Sequence, residues 1–181
     1  MNGESILYPS GRYNPAGTTK AYYAYVEDIL SFPTLADSET ATTHESLVNY
    51  TAAIVMKQGK QFHEYYGTLE ESELKGTLVG PRDGKGWENT FEISHPGNDA
   101  KAVGFHAASA NRPIVWLVKE KNAKLRVLGS LEDPSYLDAG DYTSGKKIAD
   151  SRRTITTYKA SGATPPPIYT LPIAALLAPA V

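Results

Sequence analysis

Hydrophobic positions fall mostly in short β-type runs, and the two most apolar of these sit together between Asn111 and Ser130. Ile114, Val115, Trp116, Leu117 and Val118 run to a polar turn at Lys121-Asn122-Ala123-Lys124, after which Leu125, Val127 and Leu128 run back. Two such runs joined by a short polar loop predict an antiparallel hairpin. The first run is continuous and not alternating, which predicts a strand covered on both faces.

The cleanest period-two pattern lies at Trp87–Ser94, where Trp87, Asn89, Phe91 and Ile93 alternate with Glu88, Thr90, Glu92 and Ser94. It predicts a strand with one face buried and the other wet or lumenal. From Lys20 to Phe32, ended by Pro33, three tyrosines and a valine within five residues favour a strand over a local helix. Tyr23 and Tyr25 then share one face, and Tyr22, Ala24 and Val26 the other. Thr51–Tyr66 reads as a second hairpin turning at Lys57-Gln58-Gly59-Lys60, and Leu74–Val79 as a short strand. A glycine inside that strand, Gly76, marks a bulge or a close backbone approach.

Asn98 or Asp99 can cap a helix running through Ala110, because an Asx side chain accepts an orphan amide of the first turn. Ala100, Val103 and Ala107 would be its apolar stripe. Leu35–Ser46 and Glu132–Lys147, the latter with Pro134, Gly140 and Gly145, read as surface loops. Arg152–Lys159 reads as a last, Thr-rich strand. About eight short strands and one helix predict a mainly β fold, an antiparallel β-sandwich or barrel with one α-helix. A turn-rich N-terminal arm (1–19), with Tyr8 and Tyr13 as anchors, precedes the β-domain (20–164). A Pro-rich apolar C-terminal arm (165–181) follows it.

Composition narrows the functional classes. The 181 residues contain no cysteine, which excludes disulfides and thiolate chemistry and fits assembly in a reducing cytoplasm. A net charge of −2 argues against a domain built to grip nucleic acid, which would carry a concentrated basic face. The opening MNGESILYPSGRYNP is polar and turn-rich, without the pattern of a secretory signal. Pro165, Pro166, Pro167, Pro172 and Pro179 break the charge-free C-terminal stretch, so no membrane-spanning helix of roughly 20 residues is expected there.

Candidate chemistry adds little. His44, His63, His95 and His106 lack the short spacings of metal sites, so no metal or cofactor is expected. Glu70, Glu71 and Glu73 read as a solvated cluster. Asp99, His106 and Ser109 fall on one helix, whereas a triad converges from separate elements. GPRDGKG (80–86) precedes a strand and lacks the Gly-Lys-Ser/Thr ending of a phosphate loop. No catalytic residues and no enzymatic activity are expected.

The order of elements, with one helix between strands, arms at both ends and a Thr-rich last strand entered through Asp150-Ser151-Arg152-Arg153, resembles the tail tube proteins of tailed bacteriophages and related contractile injection systems. The resemblance spans Gly59–Thr164. It implies a virion structural protein, assembled in the host cytoplasm, whose subunits stack as hexameric rings with sheets joined edge to edge around a channel. Its partners would be copies of itself and other virion tail proteins, with DNA only in passage through the lumen and no membrane. Independently of the resemblance, an uncharged arm carrying Ile168, Tyr169, Leu171, Ile173 and Leu176 needs somewhere to dock, and a neighbouring subunit is one place. Arg112 and Arg153 are candidate inter-subunit ion-pair residues. The rival reading is a monomeric β-sandwich that binds a glycan through Tyr13, Tyr22, Tyr23, Tyr25, Tyr65, Tyr66, Tyr136 and Tyr142.

Overall fold

The structure, a computed structural model, describes residues 4–7, 11, 14–147 and 150–180. The strands are β1 (Thr18–Tyr25), β2 (Ile29–Ser31), β3 (Asn49–Tyr50), β4 (Val55–Met56), β5 (His63–Tyr65), β6 (Glu73–Val79), β7 (Gly86–Pro96), β8 (Ile114–Glu120), β9 (Leu125–Leu128), β10 (Tyr136–Thr143), β11 (Arg153–Gly162) and β12 (Ile168–Tyr169), with helix α1 (Ala100–Ser109) between β7 and β8. They form a six-stranded sheet in the order β3-β12-β9-β8-β1-β5, a four-stranded sheet β10-β11-β7-β6, and a small β2-β4 pair. The fold is mainly β and sandwich-like, with open sheets and no closed barrel among the described residues.

The hairpin read from Asn111–Ser130 is β8 and β9, with Trp116 opposite Leu128 and Lys119 opposite Leu125. All five residues from Ile114 to Val118 are fully buried, because β8 separates two cores. Ile114, Trp116 and Val118 face the four-stranded sheet and pack with Phe91, Ile93 and Tyr158. Val115 and Leu117 point the other way, into a second core with Tyr22, Ile54, Met56, Phe62, Tyr169 and Leu176. Strand β1 divides likewise: Tyr22 and Ala24 join the second core, Tyr23 and Tyr25 the first.

Several expectations are corrected by pairing that the local pattern does not specify. β4 and β5 flank the Lys57–Lys60 turn but do not form a hairpin: β4 pairs with β2, and β5 with β1. Glu132–Lys147 is not simply a loop, because β10 occupies half of it and runs antiparallel to β11. Gly76 does mark a close approach: a Cβ there would lie 3.0 Å from Pro166 Cδ and 2.9 Å from Asn89 Oδ1. Asp99 caps α1, its Oδ1 accepting from the Ala102 amide at 2.8 Å. The helix presents Ala102, Phe105, His106 and Ser109 inward, while Ala100, Val103 and Ala107 are exposed.

The C-terminal stretch, expected as a separate arm over 165–181, is woven into the chain's own fold across its described residues 165–180. β12 lies inside the large sheet, parallel to β3 and antiparallel to β9. Beyond it, the Phe62 amide donates to Leu176 O at 2.7 Å, and the Gly59 amide to Ala180 O at 2.7 Å. The apolar character that suggested docking on a neighbour is used to cover the outer face of β8 and β9.

Candidate functional site

The described residues contain no cluster of three or more His, Cys, Asp or Glu able to hold a metal ion. No helix among them is long and apolar enough to cross a membrane. His44 pairs with Glu4, and His95 Nδ1 donates to the Tyr66 carbonyl at 2.9 Å. Glu70 pairs with Lys121, and Glu71 with Ser94 Oγ and Arg153. The Ser109 hydroxyl donates to the backbone carbonyl of His106, not to its imidazole, and also meets Tyr158 Oη at 3.4 Å. Asp99 is occupied as a helix cap. These groups are held structurally and do not converge.

An aromatic cluster lies where α1 crosses β1 and β5. Tyr23, Tyr65, Phe105 and Trp116 pack edge to face or tilted, with centroids 4.6 to 6.5 Å apart. Tyr65 Oη and His106 Nε2 share a hydrogen bond of 2.9 Å, while His106 Nδ1 is buried without a partner among the described residues. Burial, and secondarily the charge of His95, lowers the His106 pKa, and burial raises that of Tyr65 well above the phenol range. A cleft of about 250 Å³ opens beside the cluster, bordered by Tyr66, Glu64, Asp99 and Lys101.

A pH dependence follows. The folded chain holds His106 below its unfolded value, so the unfolded chain binds that proton more readily. The stabilising contribution is fully present above the unfolded pKa of about 6.5 and is lost as pH falls through it toward the folded value. Thermal melts at neutral and mildly acidic pH should show a stability loss that is smaller in His106→Gln. Equal losses in variant and parent would assign the effect to other groups.

The residues expected at a subunit interface have partners within the chain. Tyr169 and Leu176 are buried, with Leu171 and Ile173 packed against the same core, and Ile168 donates its amide to Val48 O at 2.7 Å. Arg112 lies over the Tyr25 ring, 3.6 Å from its centroid, and pairs with Glu27. Arg153 pairs with Glu71 at 3.3 Å. Of the tyrosines, Tyr22 and Tyr65 are buried, Tyr23 and Tyr25 are half-buried, and Tyr66, Tyr136 and Tyr142 are exposed. Tyr8 and Tyr13 lie outside the described residues.

The outer face and the two edges of the four-stranded sheet lack such intramolecular cover among the described residues. Its inner face, with Phe91, Ile93, Thr156 and Tyr158, is buried. Register places Glu73, Lys75, Glu88, Glu92, Arg153 and Lys159 on its outer face, with Lys159 bridging Glu88 and Asp138. Both edge strands, β6 and β10, are unpaired on their outer sides among the described residues. They carry Leu78, Val79, Tyr136 and Tyr142, exposed by 42 to 62%. Sequence reading identified β6 but missed β10. Its residues are exposed on both faces except Leu137, so alternation, the usual strand signal, is missing. Compared with known proteins, the chain matches no family model, no curated protein and no solved structure.

Proposed function

We propose that this chain is a self-assembling structural subunit, a virion protein of the tail tube type, whose four-stranded sheets join edge to edge in a ring around a channel. One observation carries the reading: β6 and β10, the two open edges of an even-stranded antiparallel sheet, run in opposite directions. Copies related by rotation can therefore set β6 against the next copy's β10 with the antiparallel alternation unbroken. Ring closure removes the two open edges of this sheet, which are otherwise templates for uncontrolled pairing, and leaves the short terminal strands β3 and β5 of the six-stranded sheet. The polar outer face would then line the lumen. On it Glu73, Glu88, Glu92, Asp138 and Asp141 outnumber Lys75, Arg153 and Lys159, a balance that lets a polyanion pass without being gripped. The chain's part is mechanical, with no reaction and no cofactor.

Light scattering coupled to size exclusion, with electron micrographs of concentrated protein, tests this. Rings or stacked tubes are expected. A 19.6 kDa monomer at every concentration would overturn it. It would favour the second reading, ligand binding at the aromatic cleft, where exposed Tyr66 beside Glu64, Asp99 and Lys101 offers a stacking face with polar groups at its rim. Glycan binding that is abolished by Tyr66→Ala would establish that alternative.

A further inference from the structure

The two edges also specify how copies would meet. We infer that β6 of one copy pairs with β10 of the next in a single register, with Lys75 opposite Asp141, Leu74 opposite Tyr142, Leu78 opposite Leu137 and Val79 opposite Tyr136. The inference rests on the assembly reading and deepens it by naming the contact.

The register follows from the intramolecular pairing. Gly76, in the middle of β6, lies across Asn89 from Ala160. Gly140, in the middle of β10, lies opposite Thr156. The two edges are therefore offset by four residues along β11. Full overlap between neighbouring copies requires each copy to be staggered by that amount. At a rise of about 3.3 Å per residue and a strand spacing of about 4.8 Å, four residues over four strands tilt the strands by about 35°. Closed barrels have tilts of about 35–45°. The offset built into one subunit thus gives a stagger within the range found in closed barrels.

Side-chain chemistry selects the same register. An even offset keeps inner residues with inner ones and outer with outer, whereas a one-residue slip reverses every face. Among the described residues neither Lys75 nor Asp141 has an ion-pair partner in its own chain, and in this register each supplies the other's. All four exposed apolar residues of the two edges gain an apolar cross-strand neighbour. Sliding by two residues one way sets Glu73 against Asp141, two like charges. Sliding the other way sets Leu78 against Gly140 and carries Leu74 past the end of β10.

The native chain has no cysteine, so pairs can be introduced cleanly. Thr77 and Ala139, both exposed, face each other in this register. Directly opposed antiparallel residues lie about 4.5–5.5 Å apart at Cα, within the range of about 4.4–6.8 Å that a disulfide spans. Within one chain the two positions sit on opposite edges of the sheet, so a bond between them joins copies. Oxidised Thr77→Cys/Ala139→Cys protein is expected to give a covalent ladder on a denaturing gel. Thr77→Cys/Thr143→Cys, four residues out of register, is expected to remain monomeric on that gel. Lys75→Glu and Asp141→Lys should each lower the assembled fraction, and the double variant should recover it. If the parent assembles by light scattering but the in-register pair fails to link, or the control links equally, the register is wrong while assembly stands. If the parent is monomeric, the assembly reading fails and the register with it.

Discussion

Deleting residues 165–181 is expected to unfold the chain. The segment supplies β12, which lies between β3 and β9 in the large sheet, so its loss leaves β3 with no strand to pair with. It also strands polar groups: the Val127 amide donates to Pro167 O at 2.8 Å, the Thr170 amide and hydroxyl both donate to Tyr50 O, and the Phe62 amide donates to Leu176 O. Buried backbone groups left unpaired cost about 1–3 kcal/mol each. Tyr169 and Leu176 leave the core as well, and a fully buried large side chain is worth about 1.5–3 kcal/mol. Together these losses rival the roughly 5–15 kcal/mol by which a domain is stable. Circular dichroism and thermal melting of a chain ending at Thr164 should show no cooperative transition. A truncated protein that melts like the parent would mean that the six-stranded sheet closes without β12.

What could be read from the sequence was whatever a short window determines alone. The hairpin of β8 and β9 has two apolar runs and its own turn. Its burial on both faces follows from an uninterrupted Ile114–Val118. The alternation at Trp87–Ser94 places Asn89, Phe91 and Ile93 inward as expected, but Trp87 is only half-buried and Ser94, expected on the wet face, is buried; Asp99 caps the helix through a contact three residues away. The elements that were not legible depend on distant partners. β12 is two residues long, and only the flanking β3 and β9, remote in sequence, make it a strand. β10 is an edge with little burial, specified by β11. The inward face of α1 carries His106 and Ser109, which apolar patterning excludes. Their partners Tyr65 and Tyr158 come from other sheets. The candidate site divides the same way. The apolar C-terminal residues were recognised as needing cover, but whether that cover is the same chain or another copy is decided by tertiary topology. The two open edges of the four-stranded sheet were half visible, since β6 carries an apolar and polar alternation that β10 lacks.

Trp116→Ala is the point substitution expected to cost most. The indole has no solvent exposure, and five aromatic rings surround it, those of Tyr23, Tyr65, Phe91, Phe105 and Tyr158 at 4.8 to 6.3 Å. These rings come from β1, β5, β7, α1 and β11, so one side chain joins both large sheets and the helix. Rigid rings held on separate elements cannot collapse far into the vacated space, which places the loss in the usual range for emptying a large aromatic site, about 3–5 kcal/mol. Trp116→Phe provides the control. Trp116 Nε1 is buried without a hydrogen-bond partner among the described residues, and an unpaired buried donor itself costs about 1–3 kcal/mol. Phenylalanine removes that donor while keeping a ring, so the lost volume and the relieved donor offset, and its cost should be well below that of alanine. Urea unfolding of the three proteins at the same low protein concentration gives the comparison. If Trp116→Ala unfolds at the parent's midpoint, the rings close over the gap and the two sheets are held together elsewhere.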